Sequence, residues 1–570
     1  MRHGKTLRLT TELMFLTDVT LSQDTSRSNR SMTLQKISVR DVMKEHPRTA
    51  PIGIRRRVSD LPCNARDVGI EGRSVLCVCN ATYCDTVTRD APARGRFAGK
   101  RFHKGGGPIQ IDFSRSEESA NKVHVNETFL DKIKPKFLNS ASYTLISEIQ
   151  YQSIEGFGGS VTDAASINWQ KLSPRAQDHF VNSYFSKNGL EYNLIRTPIG
   201  GADFSTYPYT YNEYPINDYN LSNFSLSEED YKLKLPLIKR GQAVSTTDIK
   251  VTASTWSPPV WMKTNNAITG FAQVKPEFYQ SYADYHLRFI EEYDKENVTV
   301  WAITTTNEPI NGLIPFVDFN SLGWFPWDLG RWVANNLGPT IKNSKYNKTL
   351  ILAIDEQRYL LDLYLEGMLA AAPRAIDYID GIAVHYYGNF FPAQVLTNIQ
   401  ERYPDKIILA TEACEGPMPW DVMRVKIGSW ERADRYTKHI IDDLNNFVVG
   451  WLDWNLCLDE EGGPNWAHNY VDAPILVNGE KDEFYKQPMF YAMGHFSKFI
   501  PRGSKRIQVV RTSIGHVETV AFITPERNIV MVLHNPNNSV MRVRITVAWR
   551  RYIDVTLDPE SIQTVEVNLN

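Results

Sequence analysis

Between about residues 150 and 500 the chain alternates short apolar runs with longer amphipathic stretches. Runs at 192–196, 250–254, 300–304, 350–354, 381–385, 407–411 and 448–451 are rich in β-branched or aromatic side chains and stop at a polar residue. They read as buried strands. An eighth fits at 156–159, and helix-like stretches such as Pro276 to Asp294 separate the runs. This alternation predicts an α/β architecture, and eight strands fit a closed parallel (β/α)8 TIM barrel better than an open sheet. The barrel is expected over 150–456 and 488–504.

Period-two alternation replaces this pattern on both flanks. It runs through Ile109-Gln110-Ile111-Asp112-Phe113 and 143–146, and again through 506–510, 517–522, 529–533 and 543–547. Neither flank has strands enough for a sandwich alone. Residues 105–149 and 505–570 together are expected to form an accessory Ig-like β-sandwich. Residues 61–104 carry four of the six cysteines, Cys63, Cys77, Cys79 and Cys84. A unit this small needs covalent bridges, a metal or a neighbour to fold. Zinc is one reading of the cluster. Disulfides fit better, because Cys77-Val78-Cys79 lacks the two-residue spacer and no histidine is near.

Disulfides imply an oxidising compartment. Glycosylation sequons at Asn80, Asn126, Asn220, Asn223, Asn297, Asn347 and Asn537 point the same way, toward the secretory pathway. Residues 1–60 are rich in Arg, Ser and Thr and hold no recognisable signal peptide. They read as a disordered or non-native N-terminal segment. The 63 basic and 65 acidic residues of this 570-residue chain nearly balance, which argues against a dedicated nucleic-acid binder. No apolar run approaches the roughly 18 to 20 residues of a membrane span, so no transmembrane helix is expected.

The chemistry gathers where the expected barrel strands end. Glu308 follows the 300–304 run and Glu412 the 407–411 run. Arg196 leads to Asp203, Ser254 to Trp256, Val384 to His385, and Asp453 to Trp454. A lone glutamate before proline is usually a loop residue, and a lone tryptophan is more often packing than ligand contact. Their common placement on the C-terminal rim of one barrel changes that weighting, because barrels of this kind do their chemistry there. Two carboxylates facing each other across a pocket suit cleavage of a glycosidic bond. The residues thus point to a retaining β-glycosidase that needs neither metal nor cofactor.

Longer motifs carry a family resemblance. They are the segments 77–84, 156–159 with 162–165, 257–265, 307–309, 450–455, 461–466 and 484–491. From about Cys63 onward the chain resembles glycoside hydrolase family 30, and within it the acid β-glucosidases (glucosylceramidases). The resemblance implies hydrolysis of the β-glucosyl bond of glucosylceramide, with Glu308 as acid/base and Glu412 as nucleophile. It implies that Asn307 meets the sugar 2-hydroxyl, Tyr387 orients Glu412, and Arg196 and His385 support the nucleophile side. Asp203, Trp256, Trp454 and Asn469 would hold the glucose hydroxyls, with Phe319 on the aglycone side. It further implies bridges Cys63–Cys77 and Cys79–Cys84, and a small antiparallel sheet completed by 457–487. A lysosomal or secreted location, an anionic membrane surface and a saposin-type activator protein are implied as well.

Departures from the family pattern lie at Val317, Tyr386 and Tyr470, nearer the pocket entrance than its centre. They bear on the lipid or aglycone preference, not on bond cleavage. Fold alone does not choose the sugar, so a β-xyloside, β-glucuronide or steryl glucoside substrate stands as an alternative, as does a non-catalytic glycolipid-binding role. Cys414, two residues past Glu412, reads as a small buried packing residue.

Overall fold

The computed structural model describes residues 60–104, 109–111, 124–125, 139–418, 421–548 and 551–569. The expectation for 1–60 lies, apart from Asp60, outside these residues, as do Asn126 and most of 105–138. The eight apolar runs form the strands of a closed parallel barrel. They are β1 (Gly156–Ser160), β2 (Leu194–Ile199), β3 (Lys250–Thr255), β4 (Val300–Thr304), β5 (Leu350–Gln357), β6 (Gly381–His385), β7 (Ile407–Glu412) and β8 (Val448–Asn455). Each pairs with the next in sequence, and β8 closes on β1.

Close packing inside the barrel explains the glycines of β1. A Cβ on Gly158 would fall 1.8 Å from the Leu194 carbonyl oxygen, so only glycine fits there. Leu194, Ala302, Leu352, Ala383, Leu409 and Leu452 form one buried apolar cluster of strand side chains. The helix Tyr279–Lys295 buries Tyr282, Tyr285, Phe289 and Tyr293 along one face, at the spacing the sequence predicts. The helix Pro488–Ser497 is buried throughout, and Phe496 on it packs against Phe157 of β1.

Two sheets flank the barrel. Ten strands join edge to edge in one hydrogen-bonded path from Ile109–Ile111 to His124–Val125. Residues far apart along that path, such as Phe97, Tyr143, Val543 and Val565, share one apolar core, so the sheet closes over itself as a sandwich. The strand Phe97–His103 corrects one expected boundary. It lies within 61–104 but pairs along its length with Ser561–Val567 of the sandwich. Both of its faces are covered: Phe97 joins the sandwich core, and Phe102, on the opposite face, packs on Trp430 and Tyr491.

The small sheet has five strands in the order Ala65–Arg66, Leu76–Asn80, Glu483–Lys486, Ile475–Asn478 and Leu458–Asp459. It is antiparallel except at one edge, where Leu458–Asp459 runs parallel to Ile475–Asn478 because the chain reaches it directly from β8. The bridges Cys63–Cys77 and Cys79–Cys84 are formed, while Cys414 and Cys457 are free and buried. The buried ion pair of Lys486 with Asp85, 3.0 Å, ties this sheet to the segment after its second bridge. Among the described residues no helix is long and apolar enough to cross a membrane. Asn220, Asn223, Asn297, Asn347 and Asn537 are exposed, and Asn80 is half-buried.

Candidate active site

Parallel pairing puts the C-terminal end of every strand on one rim, so the polar residues that stop the runs converge. Arg196 of β2 is fully buried and forms the hub. Its guanidinium donates to Glu412 Oε2, to Asn307 Oδ1 at 2.7 Å, to Asp355 Oδ2 at 2.9 Å and to Ser254 Oγ at 3.2 Å. Asp355, also fully buried, accepts from His385 Nε2 at 3.1 Å, Ser254 Oγ at 3.0 Å and Thr411 Oγ1 at 2.5 Å as well. Burial alone would raise the Asp355 carboxyl, but the Arg196 and His385 cations outweigh it and hold it well below the carboxylate range.

His385 carries its charge for the converse reason. Burial lowers it, yet Glu412, Asp355 and Glu308 together push it up to about 10. Its Nδ1 lies 3.0 Å from Glu308 Oε1 and 3.8 Å from Glu412 Oε1. The imidazolium therefore sits between the two glutamates, closer to Glu308 while still facing Glu412, the side the resemblance implies it supports. Glu308, His385 and Glu412 offer ligand atoms within 4.8 Å of one another. Both ring nitrogens of the imidazolium donate to carboxylates, so the ring has no lone pair for a metal ion.

Glu412 ends β7 and is buried; Tyr387 OH donates to its Oε1 at 2.8 Å. Burial raises its carboxyl above the ordinary glutamate value, and the His385 and Arg196 cations limit the rise. Glu308 sits in a left-handed backbone conformation, φ 42°, which a non-glycine residue adopts only where its surroundings enforce it. Here its N–H donates to the Asp355 carbonyl at 3.0 Å, and Asn307 N–H donates to that of Thr255 at 2.9 Å. Gln357 Nε2 donates to Glu308 Oε1 at 2.7 Å, and the Asn311 amide lies 2.6 Å from Oε2. The Gln357 orientation is fixed, because its Oε1 accepts from Gly388 N–H at 2.9 Å.

The remaining expected residues gather at the same rim. Trp256 and Trp454 stack with ring centroids 5.0 Å apart, and the Arg196 guanidinium lies 4.8 Å and 5.2 Å from their centres. Phe319 and Tyr387 pack at the margin of this aromatic cluster, which also holds Cys414. Asp203 Oδ2 accepts from Asn469 Nδ2 at 3.2 Å and Asn465 Nδ2 at 3.3 Å. Burial, then the Glu412 charge, pushes the Asp203 carboxyl up to about 7.

Asp355, Glu356, Gln357, Asn311 and Asn465 escaped the sequence reading. Asp355-Glu356-Gln357 bears the signature that drew attention to Glu308 and Glu412, carboxylates after an apolar run, and β5 continues through it. Replacing Asp355 by Asn leaves two buried cations with one fewer counter-charge. We expect a loss of about 3–5 kcal/mol in urea unfolding at pH 7. Because folding depresses the Asp355 carboxyl, its contribution is complete above pH ~4 and is lost as pH falls. The gap between wild type and Asp355→Asn should therefore narrow in acid.

Comparison with known proteins decides the kinship. Residues 154–500 match the glycosyl hydrolase family 30 TIM-barrel domain and 503–565 the family 30 β-sandwich domain. The chain belongs to glycoside hydrolase family 30. It is 40% identical over 510 residues to the lysosomal acid glucosylceramidase of Mus musculus, covering 88% of this chain and 95% of that protein. The family 30 fold recurs in the crystal structure of SrfJ from Salmonella typhimurium, with TM-score 0.68, 27% identity, and 76% and 94% of the two chains covered. The endo-β1,6-glucanase BT3312 shares the fold at TM-score 0.69 and 24% identity, over 83% and 99% of the chains.

Proposed function

We propose that this family 30 enzyme hydrolyses the β-glucosyl bond of glucosylceramide, with Glu412 as nucleophile and Glu308 as acid/base. The observation that carries the reading is the approach of the two carboxyl groups, whose nearest oxygens lie within 4.8 Å. Retaining glycosidases hold the pair at about 5–5.5 Å, whereas inversion needs about 6.5–9.5 Å to admit a water.

Charge balance supports the assignment. Arg196 and His385 supply two buried cations, and ionised Asp355 and Glu412 supply two anions. As acid/base, Glu308 must carry a proton in the first step and lose it before the second. Gln357 Nε2 and His385 Nδ1 both engage its Oε1, whereas Oε2 accepts only from Asn311 Nδ2 and keeps a second lone pair for the transferable proton. The neutral acid protonates the departing ceramide oxygen while Glu412 attacks the anomeric carbon. Ionised Glu308 then takes a proton from the water that releases glucose. Asn307, with its Oδ1 bound to Arg196, has its amide N–H left for the sugar 2-hydroxyl. Asp203 with Asn469, and the stacked Trp256 and Trp454, supply hydroxyl partners and an apolar platform.

The glucosylceramide assignment draws on the kinship with the mouse glucosylceramidase. Phe316, Tyr214, Ile216 and Phe390 lie on the loops that follow β4, β2 and β6, and are 86%, 75%, 63% and 76% exposed. Apolar side chains beside the pocket suit a substrate anchored in a membrane. On this reading the chain works in the lysosome, on an anionic surface and with a saposin-type activator. The test measures ceramide released from glucosylceramide in anionic vesicles at pH 5, beside fluorogenic β-glucoside, β-xyloside and β-glucuronide. Ceramide release with β-glucoside preferred is expected; turnover of the xyloside or glucuronide in its place would overturn the substrate assignment.

A further inference from the structure

Glu356 is a fully buried carboxyl for which the mechanism above has no use. It follows a break in strand register. The pairing of β5 with β6 shifts between Ile354 and Glu356, and Ile354 and Asp355 both adopt positive φ, 80° and 58°. A bulge of this kind re-aims side chains next to an active site. Here it lets three consecutive residues all serve the catalytic centre. Asp355 binds Arg196 and His385, and Gln357 binds Glu308. Glu356 Oε2 accepts from Ile310 N–H at 3.1 Å, while its Oε1 accepts from Gln357 N–H at 2.7 Å. Glu356 thus grips the backbone on both sides of the catalytic acid, at the turn that carries Glu308 and at the amide that contacts it.

We propose that Glu356 is a positioning residue for the acid/base, fixing the Glu308 turn and forming with Glu308 a carboxyl pair that retains one proton through the working pH range. This rests on the assignment of Glu308 as acid/base. The charged and titratable groups around Glu356 are Glu308, His385, Tyr359 and Tyr364. The adjacent Arg358 turns away to Asp443 and the Phe391 carbonyl. His385 is the sole cation among those four, and Asp355 and Glu412 already balance it together with Arg196. Ionising Glu308 and Glu356 together would leave two uncompensated charges, one fully buried on Glu356 and one partly buried on Glu308. Burial, then the Glu308 charge, pushes the Glu356 carboxyl up to about 8, in keeping with a proton that belongs to the pair. The pair prolongs the acid-competent form toward alkaline pH.

The test is the pH profile of kcat/KM on an alkyl β-glucoside, with active sites counted by a mechanism-based epoxide. Glu356→Gln cannot hold the second negative charge, so its alkaline limb moves to lower pH. With the wild-type limb near 8, a shift of about one unit raises the ratio of kcat/KM at pH 5 to that at pH 9 about tenfold over wild type. Glu356→Asp keeps the charge but shortens the reach to Ile310, so it slows the enzyme at every pH and leaves that ratio near wild type. A Gln variant with the wild-type ratio overturns the proposal. Should Gln yield no countable sites, Asp decides, and a rate equal to wild type overturns it. Glu308→Gln separates the premises. If it keeps wild-type turnover, the acid/base assignment fails; if it loses turnover while Glu356→Gln leaves the limb in place, only this inference fails.

Discussion

Glu412→Gln loses at least about 10⁴-fold in turnover of any β-glucoside, while a neutral glucose-shaped inhibitor still binds within about tenfold of wild type. The amide fills the same volume, and its one oxygen can still accept from Arg196 while its NH2 turns to the Tyr387 hydroxyl oxygen, but it cannot form the glycosyl ester. The large effect is chemical, because the nucleophile is the one group whose bond to carbon must form. A glucoside epoxide should label wild type once, on the peptide from β7, and should leave Glu412→Gln unlabelled. A tiny anion such as azide should restore turnover to Glu412→Gly and give the α-glucosyl azide, since it attacks from the vacated face. Label elsewhere, or a β product, would remove Glu412 from this role.

Much of this site was legible because barrel strands announce their own ends. An apolar run that stops at a carboxylate marks both a strand and its catalytic rim, so Glu308 and Glu412 could be read together with the fold. Asp355, Glu356 and Gln357 carry the same mark. They were passed over because the run seemed to end at Ile354, and no local pattern reveals a bulge with two residues at positive φ. The preference of His385 for Glu308 was hidden for another reason. Two carboxylates compete for one imidazole, and only the relative heights of β4, β6 and β7 decide between them. The strand Phe97–His103 was grouped with the bridged cysteines that precede it, whereas it pairs with Ile109–Ile111 on one side and with Ser561–Val567, more than 450 positions later, on the other. Period-two alternation identifies a strand but never its partner.

Glu308→Gln should divide substrates by leaving group. For an alkyl glucoside or glucosylceramide the oxygen must be protonated as it departs, and losing the acid costs about 10²–10⁴-fold in kcat/KM. A dinitrophenyl glucoside departs without a proton, so its first step should keep most of its rate. Its glucosyl-enzyme then accumulates, because no base activates water, and azide should relieve that block and give the β-glucosyl azide. The pH profile changes with it. In wild type the acid limb follows Glu412, whose carboxyl burial raises, and the alkaline limb follows loss of the acid proton. In Glu308→Gln the alkaline limb should vanish while the acid limb stays, because the Arg196–Asp355–His385 cluster that holds Glu412 remains. An equal loss for both leaving groups would mean that the variant damages the pocket rather than proton transfer. That outcome is also physically distinct, since a displaced Glu308 turn would carry Asn307, and with it the 2-hydroxyl contact, away from Arg196.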